Sequence, residues 1–190
     1  MKKLVLIVMG CYLFGCNNNA QQTSMEQDNQ DFFPVNSFLR GQVYEVDSLK
    51  LPVYKYSTVD NKTDSVLLSS EEFDFLAEEF MKADINDPAI KKFYKETSFA
   101  DQSIPNITFT YSTLNKDLPL QRLDVIIRSG PVSDDRVQSI YLEKIHKSGD
   151  TLLVRKLYWK TGKNFQIISS RQNGNHPAIT SQVKVEWDAE

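Results

Sequence analysis

Strong turn formers cut the second half of the chain into short, evenly spaced pieces, and this punctuation restricts the possible folds more than any other feature. Gly130-Pro131, Ser148-Gly149-Asp150, Thr161-Gly162-Lys163 and Asn173-Gly174 are combinations that accept or impose turn backbone angles. Between them the runs 121–128, 136–147, 151–160, 164–171 and 180–187 alternate apolar with polar residues, the period of a strand that buries one face. Links this short leave no room for a crossover, so neighbouring runs must pair antiparallel. The expectation is a curved antiparallel meander.

The first half reads differently. Phe32-Phe33-Pro34 leads into Val35, Phe38, Leu39, Val43 and Val46, which share one face of a helix. Gly41 within it costs about 1 kcal/mol relative to alanine and predicts either a close neighbour or a bend. Polar residues Asp60-Asn61-Lys62-Thr63 separate the runs 53–58 and 65–68 and predict a hairpin. Ser70 is the expected N-cap of a second helix, with Glu71 and Glu72 in its first turn and Phe73, Leu76, Ala77, Phe80 and Met81 as its apolar stripe. Asp87-Pro88 predicts a short helix running through Ile90, Phe93 and Tyr94, and residues 107–112 alternate as a further strand. The expected class is α+β: a single domain, 31–190, with N-terminal helices packed on one face of the curved sheet.

At the start of the chain, Lys2 and Lys3 precede an apolar run from Leu4 to Phe14, too short for the roughly 20 apolar residues that span a bilayer but right for a signal peptide. The run ends in Leu13-Phe14-Gly15-Cys16. This ending resembles a bacterial lipobox, in which an aliphatic residue stands three places before a cysteine and a small residue just before it. The resemblance implies cleavage between Gly15 and Cys16, acyl chains such as palmitate on Cys16, and a place among the small lipoproteins of Gram-negative envelopes. It also implies anchoring in the outer membrane, facing the periplasm. Val8-Met9-Gly10-Cys11 fits the same pattern, but cleavage there would leave a very short apolar core and carry Tyr12-Leu13-Phe14 into water. An ordinary cleaved signal peptide or an uncleaved anchor are the competing readings. Residues 16–30 are mostly Asn, Gln, Ser and Thr with scattered charge and read as a flexible tether with a reach of about 20 Å.

Removing the leader takes Lys2 and Lys3 with it and moves the formal charge from −3 to about −5, which gives no basic footprint for nucleic acid. Both cysteines, Cys11 and Cys16, lie before the domain, so the folded part has no thiol for a disulfide, a nucleophile or a metal site. His146 and His176 have no neighbours at ligand spacing, and no calcium signature accompanies Asp134-Asp135. Glu71-Glu72 and Glu78-Glu79 read as a solvated helix face. No catalytic residue, metal or cofactor is expected, and the chain reads as a non-enzymatic protein.

Alternation within 151–160 puts Leu153, Leu157 and Trp159 on one side and Leu152, Val154 and Tyr158 on the other, beside Lys156 and Lys160. Trp159 should pack on Phe73, Leu76 and Phe80. Either a loop or the first hairpin covers the second side, or Leu152, Val154 and Tyr158 form an exposed binding face. Two functions follow. One is a binding or assembly module for an envelope partner protein. The other is a carrier or chaperone for an apolar lipid ligand held in a cavity lined by Phe109, Leu123, Val125 and Trp159.

Overall fold

Nine strands hydrogen-bond into one open antiparallel sheet in the computed structural model, which describes residues 31–82, 84–101, 103–129 and 136–187. The leader with Leu13, Gly15 and Cys16, the tether, and the turn segments Gly130-Pro131 and Asp134-Asp135 lie outside the described residues. The strands are β1 Val53–Val59, β2 Lys62–Leu67, β3 Tyr94–Ala100, β4 Asn106–Thr113, β5 Leu120–Arg128, β6 Arg136–Ser148, β7 Thr151–Lys160, β8 Asn164–Asn173 and β9 Ile179–Trp187. Their order across the sheet is β2-β1-β9-β8-β7-β6-β5-β4-β3. The meander from β5 to β9 is the one its turn residues predict, and β7 is the central strand.

Three local expectations change. In the first hairpin, Val59 pairs directly with Lys62, so the turn is only Asp60-Asn61, at φ +48 and +62. These are the two residue types that tolerate the left-handed region, and the two-residue turn they make keeps Lys62 and Thr63 in the strand. This hairpin does not cover the second face. It extends the sheet edgewise, with β1 pairing along β9 from Val53–Trp187 to Val59–Ser181. Finally, Tyr94 opens strand β3 instead of finishing a helix. That edge strand has only Tyr94 buried, so it carries no clean alternation for a sequence reading to find.

The helices are α1 Val35–Leu49, α2 Ser70–Met81 and the single turn α3 Pro88–Lys91, where the Asp87 side chain accepts from the Ala89 N–H. α2 is capped by Ser69, one residue earlier than expected, in a reciprocal capping box. The Glu72 N–H donates to Ser69 Oγ at 3.3 Å and the Ser69 N–H donates to Glu72 Oε2 at 3.0 Å. That frees the Ser70 hydroxyl to donate to Asp47 on α1 at 2.5 Å. At the other end Asn36 donates to the Met81 carbonyl at 3.2 Å. The two ties run the helices antiparallel. Gly41 meets no close neighbour, since a Cβ there would touch nothing within 4 Å.

α2 lays its stripe on the sheet. Phe80 sits edge-on to Trp159 with centroids 5.2 Å apart, Trp159 stacks on Phe165 at 5.1 Å, and Phe73 meets Trp187 edge-on at 5.4 Å. Trp159, Phe165, Phe73 and Phe80 are fully buried, joining β7, β8, β9 and α2 in one aromatic cluster, as the sequence predicts for Trp159. Edge-on and offset rings place positive rims against negative faces and add to the burial of their large surfaces. Further along the same face, at β4, Phe32 packs on Tyr111 at 4.9 Å, and Asn86 holds the Phe32 backbone at 3.0 Å.

Candidate functional site

The register places the predicted binding-face residues together at the middle of the sheet. The turn at Gly149-Asp150 pairs Ser148 with Thr151, and this fixes every pair further along: Lys147 with Leu152, Ile145 with Val154, Glu143 with Lys156, and Tyr141 with Tyr158. Tyr158 in turn faces Gln166 on β8, Gln166 faces Lys184 on β9, and Lys184 faces Tyr56 on β1. One straight row, Tyr141-Tyr158-Gln166-Lys184-Tyr56, therefore crosses five strands on the side opposite Trp159. Leu152 and Tyr158 are exposed at 36% and 37% and Val154 is half-buried, while Leu157 and Trp159 between them are at 0%.

This open face carries a charge excess that the whole chain lacks. Arg122, Arg128, Lys147, Lys156, Lys160 and Lys184 share it with three carboxylates, Asp124, Glu143 and Glu186. Arg122 pairs with Asp124 and Lys184 with Glu186, at 2.9 and 3.0 Å. Glu143 accepts from the Tyr141 hydroxyl at 3.1 Å. Burial together with Glu143 pushes that phenol up to about 12, so it stays a donor. Lys184 stands 6.0 Å from the centre of the Tyr56 ring. Lys147, Lys156 and Lys160 form no ion pair among the described residues.

Helix α2, on the other side, is the reverse. α2 has Glu71, Glu72, Asp74, Glu78 and Glu79 and no basic residue. Glu79 is not the solvated group its sequence suggests. Its side chain is only 14% exposed, with Lys82 at 2.7 Å, Arg155 at 2.8 Å and Lys144 at 3.6 Å. Lys144 also donates to the Glu79 carbonyl. Burial opposes the ionised Glu79 carboxyl, but these three cations outweigh it and hold the group below its usual range. Burial lowers Lys144, with Glu79 opposing the shift. The cluster pins α2 to β6 and β7 through charge, and nothing in residues 76–82 alone signals it, because Lys144 and Arg155 arrive from strands 65 and 76 residues away. Nearby, Asp74 is raised by burial and by Asp47.

The residues expected to line a ligand cavity line neither of two clefts that the domain carries. Leu123, Val125 and Trp159 are buried at 1%, 0% and 0% in the packed core, and Phe109 is half-buried against it. A cleft of about 350 Å³ opens instead at the β1–β9–β8 end, beside Tyr54, Tyr56, Lys163, Asn164 and Glu186. A second, of about 240 Å³, lies where Asp47 and Ser70 meet Phe73. His146 and His176 are both exposed. Among the described residues no group of three or more metal-ligating side chains comes together, and no helix is long and apolar enough to cross a membrane.

What sequence reasoning missed is the composition of the open face beyond β7. The two-residue turn at Gly149-Asp150 was enough to place Tyr141 opposite Tyr158 and Glu143 opposite Lys156. Tyr56 joins the row only through the β1–β9 pairing, a contact between the two ends of the domain that no local signal announces. No family model matches the chain, and neither a curated protein nor a solved structure matches it.

Proposed function

We propose that the chain is an envelope lipoprotein, cleaved between Gly15 and Cys16, acylated on Cys16 and held in the outer membrane on the periplasmic side, that works as a non-enzymatic docking module. With this goes the full α+β architecture we infer for residues 31–190, N-terminal helices covering one face of a curved sheet. The single observation that supports docking is the contrast along β7: Leu157 and Trp159 are sealed in the core, while Leu152, Val154 and Tyr158 carry apolar surface into the open. Apolar and aromatic groups left in water on a rigid strand are where a binding surface is expected. A carrier is the weaker reading, because Leu123, Val125 and Trp159 are buried in the hydrophobic core with the helix side chains.

The test has two arms. Cells fed a fatty-acid probe should label the protein, and Cys16→Ala should abolish the label; retained label contradicts the anchor. A photo-crosslinker at Tyr158 should form one dominant adduct in the envelope, while the same group at Phe75, exposed at 72% on α2, should not. Equal adducts at both positions contradict docking through the open face.

A further inference from the structure

We infer that the open face of the sheet rests on the anionic phospholipid surface of the bilayer that holds the anchor, with the acidic helices turned away, an inference that rests on the lipid anchor proposed above. The partition of charge carries it. Lys147, Lys156 and Lys160 lie on adjacent strands and form no ion pair among the described residues, although Glu143 stands opposite Lys156, and Arg128 extends the basic strip toward β4. On the opposite side α2 contributes Glu71, Glu72, Asp74 and Glu78 beside the paired Glu79, and no base of its own. A molecule divided in this way has a strong electrical preference for one orientation above a negative plane, since the strip is attracted and α2 is repelled.

The form of the face favours lipid over an acidic protein. Its cations are spread from β5 to β9, roughly 19 Å at the usual strand spacing; the cleft of about 350 Å³ lies at the β1–β9–β8 end of the face, beside Tyr56 and Glu186 and away from Lys147 and Lys156. Tight protein partners seat anchor side chains in pockets. A strip of cations dispersed in this way suits many identical, mobile headgroups. Tyr141, Tyr158 and Tyr56 add aromatic rings with a polar tip, the side-chain type that settles at headgroup depth. Leu152 and Val154 can enter the boundary only shallowly, so binding should be electrostatic first. Each lysine near an anionic surface strengthens association about fivefold. Anchoring in the same bilayer would keep the face at a high local concentration above the headgroups, so that such weak contacts count.

The test uses the lipidated full chain reconstituted into vesicles of phosphatidylcholine, with or without phosphatidylglycerol. An environment-sensitive fluorophore is attached at Leu152→Cys or, as the control, at Tyr44→Cys on α1, where the side chain is 74% exposed. The probe at 152 should shift to the blue and escape an aqueous quencher only with phosphatidylglycerol. It should return to water in about 1 M salt, where charge acts over only about 3 Å. Lys156→Glu with Lys160→Glu should lower the docked fraction about 25-fold or more, and the probe at 44 should stay wet throughout. A quenchable probe at 152 on anionic vesicles overturns the inference, as does an equal shift on phosphatidylcholine alone or shielding at 44 instead. Shielding at 152 only when an acidic protein is added also overturns it, but leaves the docking module standing. Mass spectrometry of the same sample reports the anchor separately: no acyl chains on Cys16 would remove that reading and this one with it.

Discussion

The two sides of strand β7 come from the same ten residues and have opposite fates. Leu157 and Trp159 meet Phe80 and Phe165 and lose all contact with water, whereas Tyr158, between them, keeps 37% of its surface exposed. Both sides of β7 are partly apolar, but only the Trp159 side is continued across the neighbouring strands by Val125, Ile140, Leu142, Phe165 and Val185. Charge adds to that difference. On the Trp159 side, Arg155 and its neighbour Lys144 find the Glu79 carboxylate that α2 brings down to them. On the Tyr158 side, Lys156 and Lys160 have no such partner among the described residues, and covering them would mean desolvating unpaired ammonium groups.

The largest expected effect breaks the covered side. Trp159→Ala should cost about 3–5 kcal/mol in chemical denaturation, through lost burial and a cavity between α2 and the sheet. Next, Glu79→Gln should cost about 1–3 kcal/mol, because it leaves Lys144 buried without its counter-charge. It should also change the acid limb of the stability curve. A carboxyl whose folded value is depressed contributes stability above its ordinary value of 4.5, and that contribution is lost as the pH falls through the lower folded value. Asp74 acts with the opposite sign. Its folded value is raised above 3.8 by burial and Asp47, so its contribution declines as the pH rises through that raised value. Asp74→Asn should therefore remove a fall in stability that sets in as the pH rises past 3.8, visible in melting temperatures taken upward from acid pH.

Smaller effects sharpen the contrast. Gly41→Ala should stabilise by about 0.5–1 kcal/mol, since the position is helical and a methyl group there meets nothing. Lys156→Ala, one turn of the pleat from Trp159 but on the open side, should stay within about 0.5 kcal/mol. A cost comparable to that of Trp159→Ala would mean that the faces are reversed.

How much of this was legible depended on whether the signal was local. The β5–β9 meander, the inward set Leu153, Leu157 and Trp159 and the contact of Trp159 with Phe80 could all be read from alternation, turns and a helical stripe. Ser69 escaped notice beside Ser70, although Glu72 three residues on marks the true cap. β3 escaped because an edge strand with water on both sides needs no alternation. The fate of Glu79 and the place of the first hairpin beside β9 depend on partners far along the chain. No pattern within residues 53–82 contains them. Because the hairpin lies beside the sheet and not over it, Leu152, Val154 and Tyr158 remain open, and on that placement the candidate site depends.

The most direct test of the two-sided sheet is thiol reactivity along β7. In a chain with Cys11 and Cys16 replaced by serine, the domain has no other thiol, so single cysteines at 152, 156, 157, 158 and 159 report one position each. With a water-soluble maleimide under native conditions, cysteines at 152, 156 and 158 should react at nearly the rate of the unfolded chain, and those at 157 and 159 only when the domain opens. Protection at 158 equal to that at 157 would mean that something covers this face, and the account of an open docking surface would fail.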